Sequence, residues 1–472
     1  MNRAIIVEET LLADLQDNLN ILIYDWKNEG AEEIFIITHP RGAHLNPQDM
    51  KDKLKALDNL EGALLIGDLP IAMLQKSSIE NNYPFMSEVF FMDLTGEWDV
   101  GEKNVVTCAN PSNPTIFVGR IAYAPDTGWQ QAAMGEILTE IEYYNRYLAK
   151  LHNFRMLSRY LLVQGVPYPV RPTFSTINIR IPPYIRFGFR ALMINNFGAP
   201  GSDYSVYLRI FSHLYPLENI EHHGYVTNTE MLTMVTENHY DCIWVQAHST
   251  PGGHNMAGGT VWNSCNYMNE DIWINFFFFE ACSSGRIVWY DQSDPSNPDI
   301  LKLASDNTVS NILFSPHAGI VTIAQSISAG FTNALLFFDK LQLGGSFGQA
   351  FKEWLIEQYD FNNGDIYNYM NLFGDPFVSF GLLPEETICI IRTSFYGTSK
   401  EYKIIELRKW RNNFFTKKKL GRLLIKSLDK LNLRFIELSI KSKAFRILVR
   451  EITSICLSLL KITPLKKKLI IS

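Results

Sequence analysis

Short, wholly apolar segments that alternate with helix-like segments constrain the fold of this chain more than any other feature of its sequence. The early apolar segments are residues 4–7, 33–38 and 63–66, and the helix-like segments between them are residues 12–29 and 50–57. Residues 155–190 contain several prolines and are predicted as a long loop or hairpin. The alternation resumes with a strand at 191–194, a helix near 228–237 and a strand at 241–247, and continues to about residue 358. Because parallel strands need long crossover connections, this pattern predicts an α/β fold with helices covering a parallel sheet.

Two of the most apolar segments, residues 242–247 and 273–281, each end on a reactive side chain, His248 and Cys282. Strands this apolar are buried on both faces, and the carboxyl ends of central parallel strands open into the ligand crevice. Neighbouring strands lie about 5 Å apart, so a thiol and an imidazole could stand side by side. Either residue alone is more typical of a core cysteine or a loop histidine, but together they predict a catalytic dyad.

Small residues follow both members of the predicted dyad, at positions 251–253 and 283–285. They let a substrate backbone approach closely and leave main-chain N–H groups to stabilise an oxyanion. A nearby imidazole favours the thiolate form of a cysteine, which is its nucleophilic form. The chemistry these parts suit is acyl transfer through a thioester, with Cys282 as nucleophile and His248 as general acid and base.

The composition indicates an ordered chain with more than one hydrophobic core. Of its 472 residues, 46% are hydrophobic and 19% are charged, which excludes intrinsic disorder as the default. We predict an N-terminal α/β subdomain at 1–115, a catalytic α/β subdomain at 116–383 and a basic helical tail at 384–472. The six cysteines form no CxxC pair, which argues against a disulfide framework or a zinc ribbon.

The charge is divided between an acidic body and a basic C-terminal tail. From Gly381 onward there are 21 Lys and Arg against 7 Asp and Glu, although the whole chain has a net charge of −6. Amphipathic helices in this tail could dock on the acidic body or on an anionic membrane surface, and no nucleic-acid partner is expected. The sequence has neither a secretory signal pattern nor an apolar run of membrane-spanning length, so alone it predicts a cytoplasmic protein.

Six segments taken together resemble the catalytic domain of the gingipain-like cysteine peptidases over residues 1–383. In chain order they are 64–68 (LLIGD), 91–99 (FMDLTGEWD), 118–121 (VGRI), the segment around His248, 280–285 (EACSSG) and 372–376 (LFGDP). The resemblance implies a caspase-like three-layer α/β fold, with two subdomains whose mostly parallel sheets are flanked by helices. Relatives of this kind are commonly exported, so the resemblance leaves the compartment of this chain open.

The resemblance also implies roles for individual residues. Cys282 would be the nucleophile, His248 would protonate the leaving amine, and the backbone amides of Ser249 and Cys282 would form the oxyanion hole. The family usually has glycine where Ser249 stands. Arginine-cleaving relatives carry a His-orienting acid soon after the Gly-Arg pair, and Asp126 is the nearest carboxylate here.

Calcium is a candidate structural cofactor, although the predicted reaction requires none. Gingipain-like enzymes hold structural calcium, and Asp93, Glu97 and Asp99 lie close together on a predicted turn. A solvated turn explains these carboxylates equally well.

The predicted function is a cysteine endopeptidase that acts on protein or peptide substrates. Two alternatives stay open at this point: a transpeptidase with sortase-like acyl transfer on the same fold, and a catalytically inactive binding module. A pocket that selects Arg or Lys needs a desolvated carboxylate, for which Glu136, Glu140 and Glu142 are the acids in the helix after the Gly-Arg pair. None of them matches the pocket acid of arginine-specific relatives, so we predict that a basic side chain before the scissile bond is not strictly required.

Overall fold

The computed structural model describes residues 1–75, 84–110, 113–123, 138–164, 190–196, 215, 219–238, 240–291, 300–304, 307–327, 334–342, 345–361 and 369–379. Its strands are Asn2–Glu8 (β1), Ile34–His39 (β2), Leu60–Ile66 (β3), Met73–Leu74 (β4), Phe85–Met86 (β5), Glu97–Val100 (β6), Val105–Asn110 (β7), Phe117–Ile121 (β8), Ala191–Asn195 (β9), Ile220–Gly224 (β10), Cys242–Ala247 (β11), Ser249–Thr250 (β12), Gly253–Asn255 (β13), Val261–Asn263 (β14), Phe276–Ala281 (β15), Val288–Asp291 (β16), Ile300–Leu303 (β17), Val321–Gln325 (β18) and Met370–Gly374 (β19). Its α-helices are Leu12–Asn28 (α1), Pro47–Lys55 (α2), Val89–Met92 (α3), Glu140–Gln164 (α4), Asn228–Glu237 (α5), Asn266–Asn269 (α6), Thr308–Leu313 (α7), Leu335–Gln342 (α8) and Phe347–Phe361 (α9). None of these helices is long and apolar enough to cross a membrane.

A ten-stranded, mostly parallel sheet flanked by helices dominates the structure, so the predicted α/β class is confirmed. The order of its strands is β10-β9-β11-β15-β18-β19-β8-β3-β1-β2. All of them belong to the compact unit formed by Met1–Arg155 and Ile179–Phe380. Three smaller sheets lie beside it in the described part of the chain, with strand orders β12-β13-β14, β16-β17 and β5-β4-β7-β6.

Strand β19 joins two blocks of parallel strands into this one sheet. It pairs antiparallel with β18 over five residues and parallel with β8 through Phe373 and Arg120. The first block (β1, β2, β3, β8 and β19) therefore runs opposite to the second (β9, β10, β11, β15 and β18). The carboxyl ends of the two blocks lie at opposite rims of the sheet.

The structure departs from the sequence prediction in two places that can be described. Two separate sheets, one in each subdomain, were predicted, but the structure has a single continuous sheet. Strand β19, from the end of the body, lies between β8 and β18 and joins the two blocks. Residues from 155 were predicted as a loop, but α4 continues to Gln164. The domain boundary at 115/116 stays a prediction, and the basic tail at 384–472 lies outside the described residues.

Two motif segments of the sequence hold buried ion pairs in the core. Arg120 is fully buried on β8 and binds Glu88 through its Nε at 2.5 Å. Asp375, directly after β19, accepts hydrogen bonds from Trp26 Nε1 at 3.1 Å and from Arg155 at 2.7 Å. Charges removed from water in this way persist only when paired, so each of these two motif residues has a structural partner in the core.

Candidate active site

The predicted dyad lies where two neighbouring strands end. Strands β11 and β15 are parallel and paired in register from Cys242 with Phe276 to Ala247 with Ala281. Extending this register by one residue sets His248 beside Cys282, with the two backbones about 5 Å apart. The structure therefore brings together the two residues that the sequence predicted as a dyad, at the carboxyl rim of the second block.

Both dyad residues are accessible from solvent. His248 is exposed and Cys282 is partly exposed, whereas the rest of β11 and β15 is buried. Cys242 is buried at the start of β11, and burial raises the pKa of its thiol well above the ordinary value. Cys108 and Cys265 are partly exposed, like Cys282, but neither follows a strand of the large sheet. Of the four described thiols, Cys282 is thus the one at the carboxyl rim.

A buried polar network lies on the same two strands, two residues before the dyad. Glu280 accepts hydrogen bonds from Gln246 at 2.5 Å and from Trp244 Nε1 at 3.1 Å. The Asn195 amide donates to Gln246 at 2.7 Å, which extends the network to β9. Side chains alternate along a strand, so Gln246 and Glu280 share a sheet face with the positions of His248 and Cys282. This network was not predicted from the sequence, although polar residues in such apolar strands were a signal for it.

The turn after Cys282 is tightly fixed to the protein. The backbone amides of residues 283–286 all donate hydrogen bonds, at 2.6 to 3.1 Å. Their acceptors are the carbonyl oxygens of Ile327, Ala281, Gln325 and Ser283. The expectation that N–H groups at 283–285 remain available for an oxyanion is therefore wrong, because the turn itself uses them.

The second predicted oxyanion donor lies in a hairpin that follows His248. Asn255 donates to the His248 carbonyl at 2.7 Å, and Ser249 pairs with His254 in the antiparallel ladder of β12 and β13. Hydrogen-bonded and non-hydrogen-bonded pairs alternate in such a ladder, so the Ser249 pair is of the second kind. Its N–H consequently points away from β13, and its role in the oxyanion hole stays a prediction.

His254, in the same hairpin, is a structural residue. It is fully buried, and its ring stacks on Phe279 with the ring centroids 5.0 Å apart. Neither ring nitrogen has a hydrogen-bond partner among the described residues, and burial lowers the pKa to about 3. The imidazole is therefore neutral near pH 7, and His248 is the accessible histidine of this hairpin region.

The three carboxylates considered for calcium have different surroundings. Asp93 is fully buried and accepts hydrogen bonds from the Gly96 amide at 2.7 Å and from Trp98 Nε1 at 3.0 Å. Glu97 and Asp99 are exposed on β6. No group of three or more His, Cys, Asp or Glu in the described ranges is arranged to hold a metal ion. The calcium site at this turn stays a prediction.

The Lys51 ammonium supplies positive charge beside this turn. It lies 4.3 Å from the ring centroid of Phe90 and 5.1 Å from that of Trp98. Burial lowers the pKa of Lys51 to about 8, and the nearby Asp93 carboxylate opposes that decrease. A protonated Lys51 thus balances the charge of Asp93 from within the protein.

Two of the three acids considered for a basic-residue pocket lie in α4 or at its start. Glu140 binds Arg41 at 3.0 Å, and Glu142 caps the helix by accepting from the Thr139 amide at 2.6 Å. Arg41 also contacts Glu8, the last residue of β1, and Asp68, which follows β3. Both strands belong to the first block. This group therefore lies at the rim opposite to the dyad. Asp126 and Glu136 lie outside the described residues.

Replacing Arg41 with methionine will make stability depend more strongly on pH. Burial raises the pKa of Asp68 and of Glu140, and the guanidinium of Arg41 holds both pKa values lower than burial alone would set them. When a carboxyl group has a higher pKa in the folded state than in the unfolded state, the folded protein loses stability as the pH rises through that folded-state pKa. The free energy of unfolding of the variant will therefore be about 1 kcal/mol lower than that of the unmodified protein at pH 7, and the difference will be far smaller near pH 4. The value is modest because Arg41 is partly exposed to solvent.

Urea unfolding midpoints measured between pH 4 and 7 test this prediction. The matched control is Lys55→Met, which removes an exposed positive charge from α2 with no carboxylate partner among the described residues. An Arg41→Met effect of equal size at every pH would contradict the prediction.

No protein-family model matches this chain, and none of the curated proteins compared with it is a match.

Proposed function

We propose that this protein is a cysteine endopeptidase that uses Cys282 and His248. The observation that carries the proposal is the in-register pairing of β11 with β15, which sets the two residues side by side at one rim. A nucleophile and a general base within reach of each other on rigid strands are the minimum that thioester chemistry needs. The accessible imidazole and the partly exposed thiol add support, because a substrate must reach both.

The proposed reaction begins when the Cys282 thiolate attacks the carbonyl carbon of the scissile peptide bond. The carbonyl oxygen takes the negative charge, which backbone N–H groups at Ser249 and Cys282 would stabilise. The C–N bond then breaks, and the His248 imidazolium gives its proton to the leaving amine. His248 next removes a proton from water, which attacks the thioester and releases the carboxylic acid product and the thiolate.

The finer fold assignment is also part of the proposal. The six ordered motifs resemble the gingipain-like peptidases, and a caspase-like arrangement agrees with a nucleophile and a histidine at adjacent strand ends. The Ser249 and Asp126 positions are where the sequence departs from that family. Neither departure removes the proposed nucleophile or the proposed base, because these roles belong to Cys282 and His248.

Selective alkylation of Cys282 tests the proposal without a known substrate. At pH 7 iodoacetamide will modify Cys282 at least about tenfold faster than Cys108 and Cys265, because an imidazole beside the thiol accepts its proton during the attack. The His248→Ala variant will lose this difference. Peptide mass spectrometry of the native protein, quenched at a series of times, measures all the rates in one sample.

Cys108 and Cys265 are the internal controls, because both are partly exposed like Cys282. Similar rates for the three thiols, or a Cys282 rate that does not change in His248→Ala, would contradict the proposed dyad.

A further inference from the structure

The residue after His248 makes a direct side-chain contact with the backbone of Cys282. The Ser249 Oγ–H donates a hydrogen bond to the Cys282 carbonyl at 2.5 Å. Ser249 lies on β12, at the end of the strand that carries His248, whereas Cys282 follows β15. This bond therefore links the two strand ends at the point where the dyad lies.

The carbonyl that Ser249 holds belongs to a strained turn. The next residue, Ser283, has a φ of 57°, in the left-handed region that non-glycine residues rarely adopt. Such a conformation is unfavourable for a residue with a Cβ and persists only where the surroundings enforce it. Strain of this kind is concentrated at sites where a reactive group must be held in one orientation.

Other contacts fix the far side of the same turn. The Ser283 amide donates to Ile327 and the Gly285 amide donates to Gln325, which ties the turn to β18 and the residues after it. The buried Ser284 hydroxyl donates to the Ala281 carbonyl at 2.8 Å. These bonds fix the turn to β18 and stabilise the turn internally. The Ser249 hydroxyl bond links the turn to the segment that carries His248.

We propose that Ser249 is a positioning residue, whose hydroxyl holds the Cys282 backbone in the orientation that presents the thiol to His248. The inference rests on the proposed function and adds to it a role for the side chain at a position where the resembled family has glycine. The backbone of Cys282 sets the direction of its Cα–Cβ bond. The Ser249 hydroxyl hydrogen-bonds to the carbonyl of that backbone. Loss of the bond lets the turn relax and misplaces the thiol, and misplacement by about 1 Å costs about 100-fold in rate.

Three substitutions and one control test the role of the hydroxyl. Ser249→Ala and Ser249→Gly remove it, and Ser249→Thr keeps it. Thr233→Ala is the matched control, because it removes another hydroxyl that donates to a backbone carbonyl, on the exposed side of α5. For each protein we would measure the alkylation rate of Cys282, kcat and KM for a peptide substrate, and the far-UV circular dichroism spectrum.

We expect Ser249→Ala and Ser249→Gly to lower kcat and the Cys282 alkylation rate by about 10- to 100-fold, with KM unchanged. Ser249→Thr, which keeps the hydroxyl, will recover most of the alkylation rate that Ser249→Ala loses. Thr233→Ala will stay close to the unmodified protein. If Ser249→Ala does not fold, the comparison of Ser249→Gly with Ser249→Thr carries the test.

Two results would overturn the role of Ser249 while leaving the dyad intact. One is a Cys282 that reacts rapidly and depends on His248 in the unmodified protein but is unaffected by Ser249→Ala or Ser249→Gly. The other is a rise in KM with kcat unchanged, which would mean that the hydroxyl contacts substrate instead. Slow alkylation of Cys282 in the unmodified protein would instead refute the proposed function, so the two failures are distinguishable.

Discussion

Replacing Cys282 with serine will lower kcat/KM for peptide cleavage by at least about 10,000-fold. A serine hydroxyl is almost the same size as the thiol, but it is a far weaker nucleophile unless a site is built to activate it. Cys282 is only partly buried, so the substitution will leave the fold and its unfolding midpoint unchanged. The measurement is the initial rate of cleavage of a fluorogenic peptide library, made with reductant and calcium present.

The matched controls are Cys108→Ser and Cys265→Ser, which make the same chemical change at two other partly exposed thiols. Both will retain the activity of the unmodified protein within about twofold, because surface substitutions away from a site have small effects. Cleavage that survives Cys282→Ser, in protein purified free of contaminating peptidases, would contradict the assignment of the nucleophile.

Replacing Glu88 with glutamine will lower the free energy of unfolding by about 3–5 kcal/mol, because it leaves the Arg120 charge buried without its partner. Both side chains are almost completely excluded from water. The other Arg120 contacts, to the Leu69 and Pro70 carbonyls at 3.2 and 3.0 Å, do not neutralise a charge. Urea denaturation followed by tryptophan fluorescence measures the loss.

The control for this stability prediction is Glu32→Gln. Glu32 also forms an ion pair, with the N-terminal amine at 3.1 Å, but about three quarters of each partner is exposed. Exposed pairs contribute at most about 1 kcal/mol, so this variant will unfold close to the unmodified protein. Equal effects of Glu88→Gln and Glu32→Gln would contradict the account of the buried pair.

Local sequence pattern was enough to predict most of the elements that position the site. The helix predicted at 228–237 is observed as Asn228–Glu237, and the strand predicted from residue 241 is Cys242–Ala247. The adjacency of the two strands that end just before His248 and Cys282 was also predicted, because two fully apolar strands are both expected at the centre of a parallel sheet. Hydrophobic periodicity is a property of a local segment, so it predicts individual helices and strands.

Features that depend on contacts between distant segments could not be predicted in this way. The antiparallel insertion of β19 pairs Gly374 with Val321 and Phe373 with Arg120, and no local pattern encodes either pairing. The amides of Ser283 and Gly285 donate to the carbonyls of Ile327 and Gln325, which lie about 40 residues later in the chain. The Ser249 hydroxyl bond likewise depends on a partner 33 residues away in the chain.

The opposite directions of the two blocks change how one group of acids is interpreted. Glu140 was considered for a substrate pocket because it lies in the helix after the Gly-Arg pair, and Asp68 ends the LLIGD segment after β3. Their rim is opposite to the one that carries Cys282, and Arg41 neutralises part of their charge. We still predict that a basic residue before the scissile bond is not strictly required. A library of substrates varied at that position tests this prediction.

The most direct test of the central claim is to trap the acyl-enzyme. The unmodified protein is mixed with a peptide ester, quenched in acid within milliseconds to seconds, and digested for peptide mass spectrometry. The account predicts a mass increase equal to the acyl group on the peptide that contains Cys282, and no such increase in Cys282→Ser. Ester turnover with no adduct on Cys282, or with an adduct on a different side chain, would contradict it.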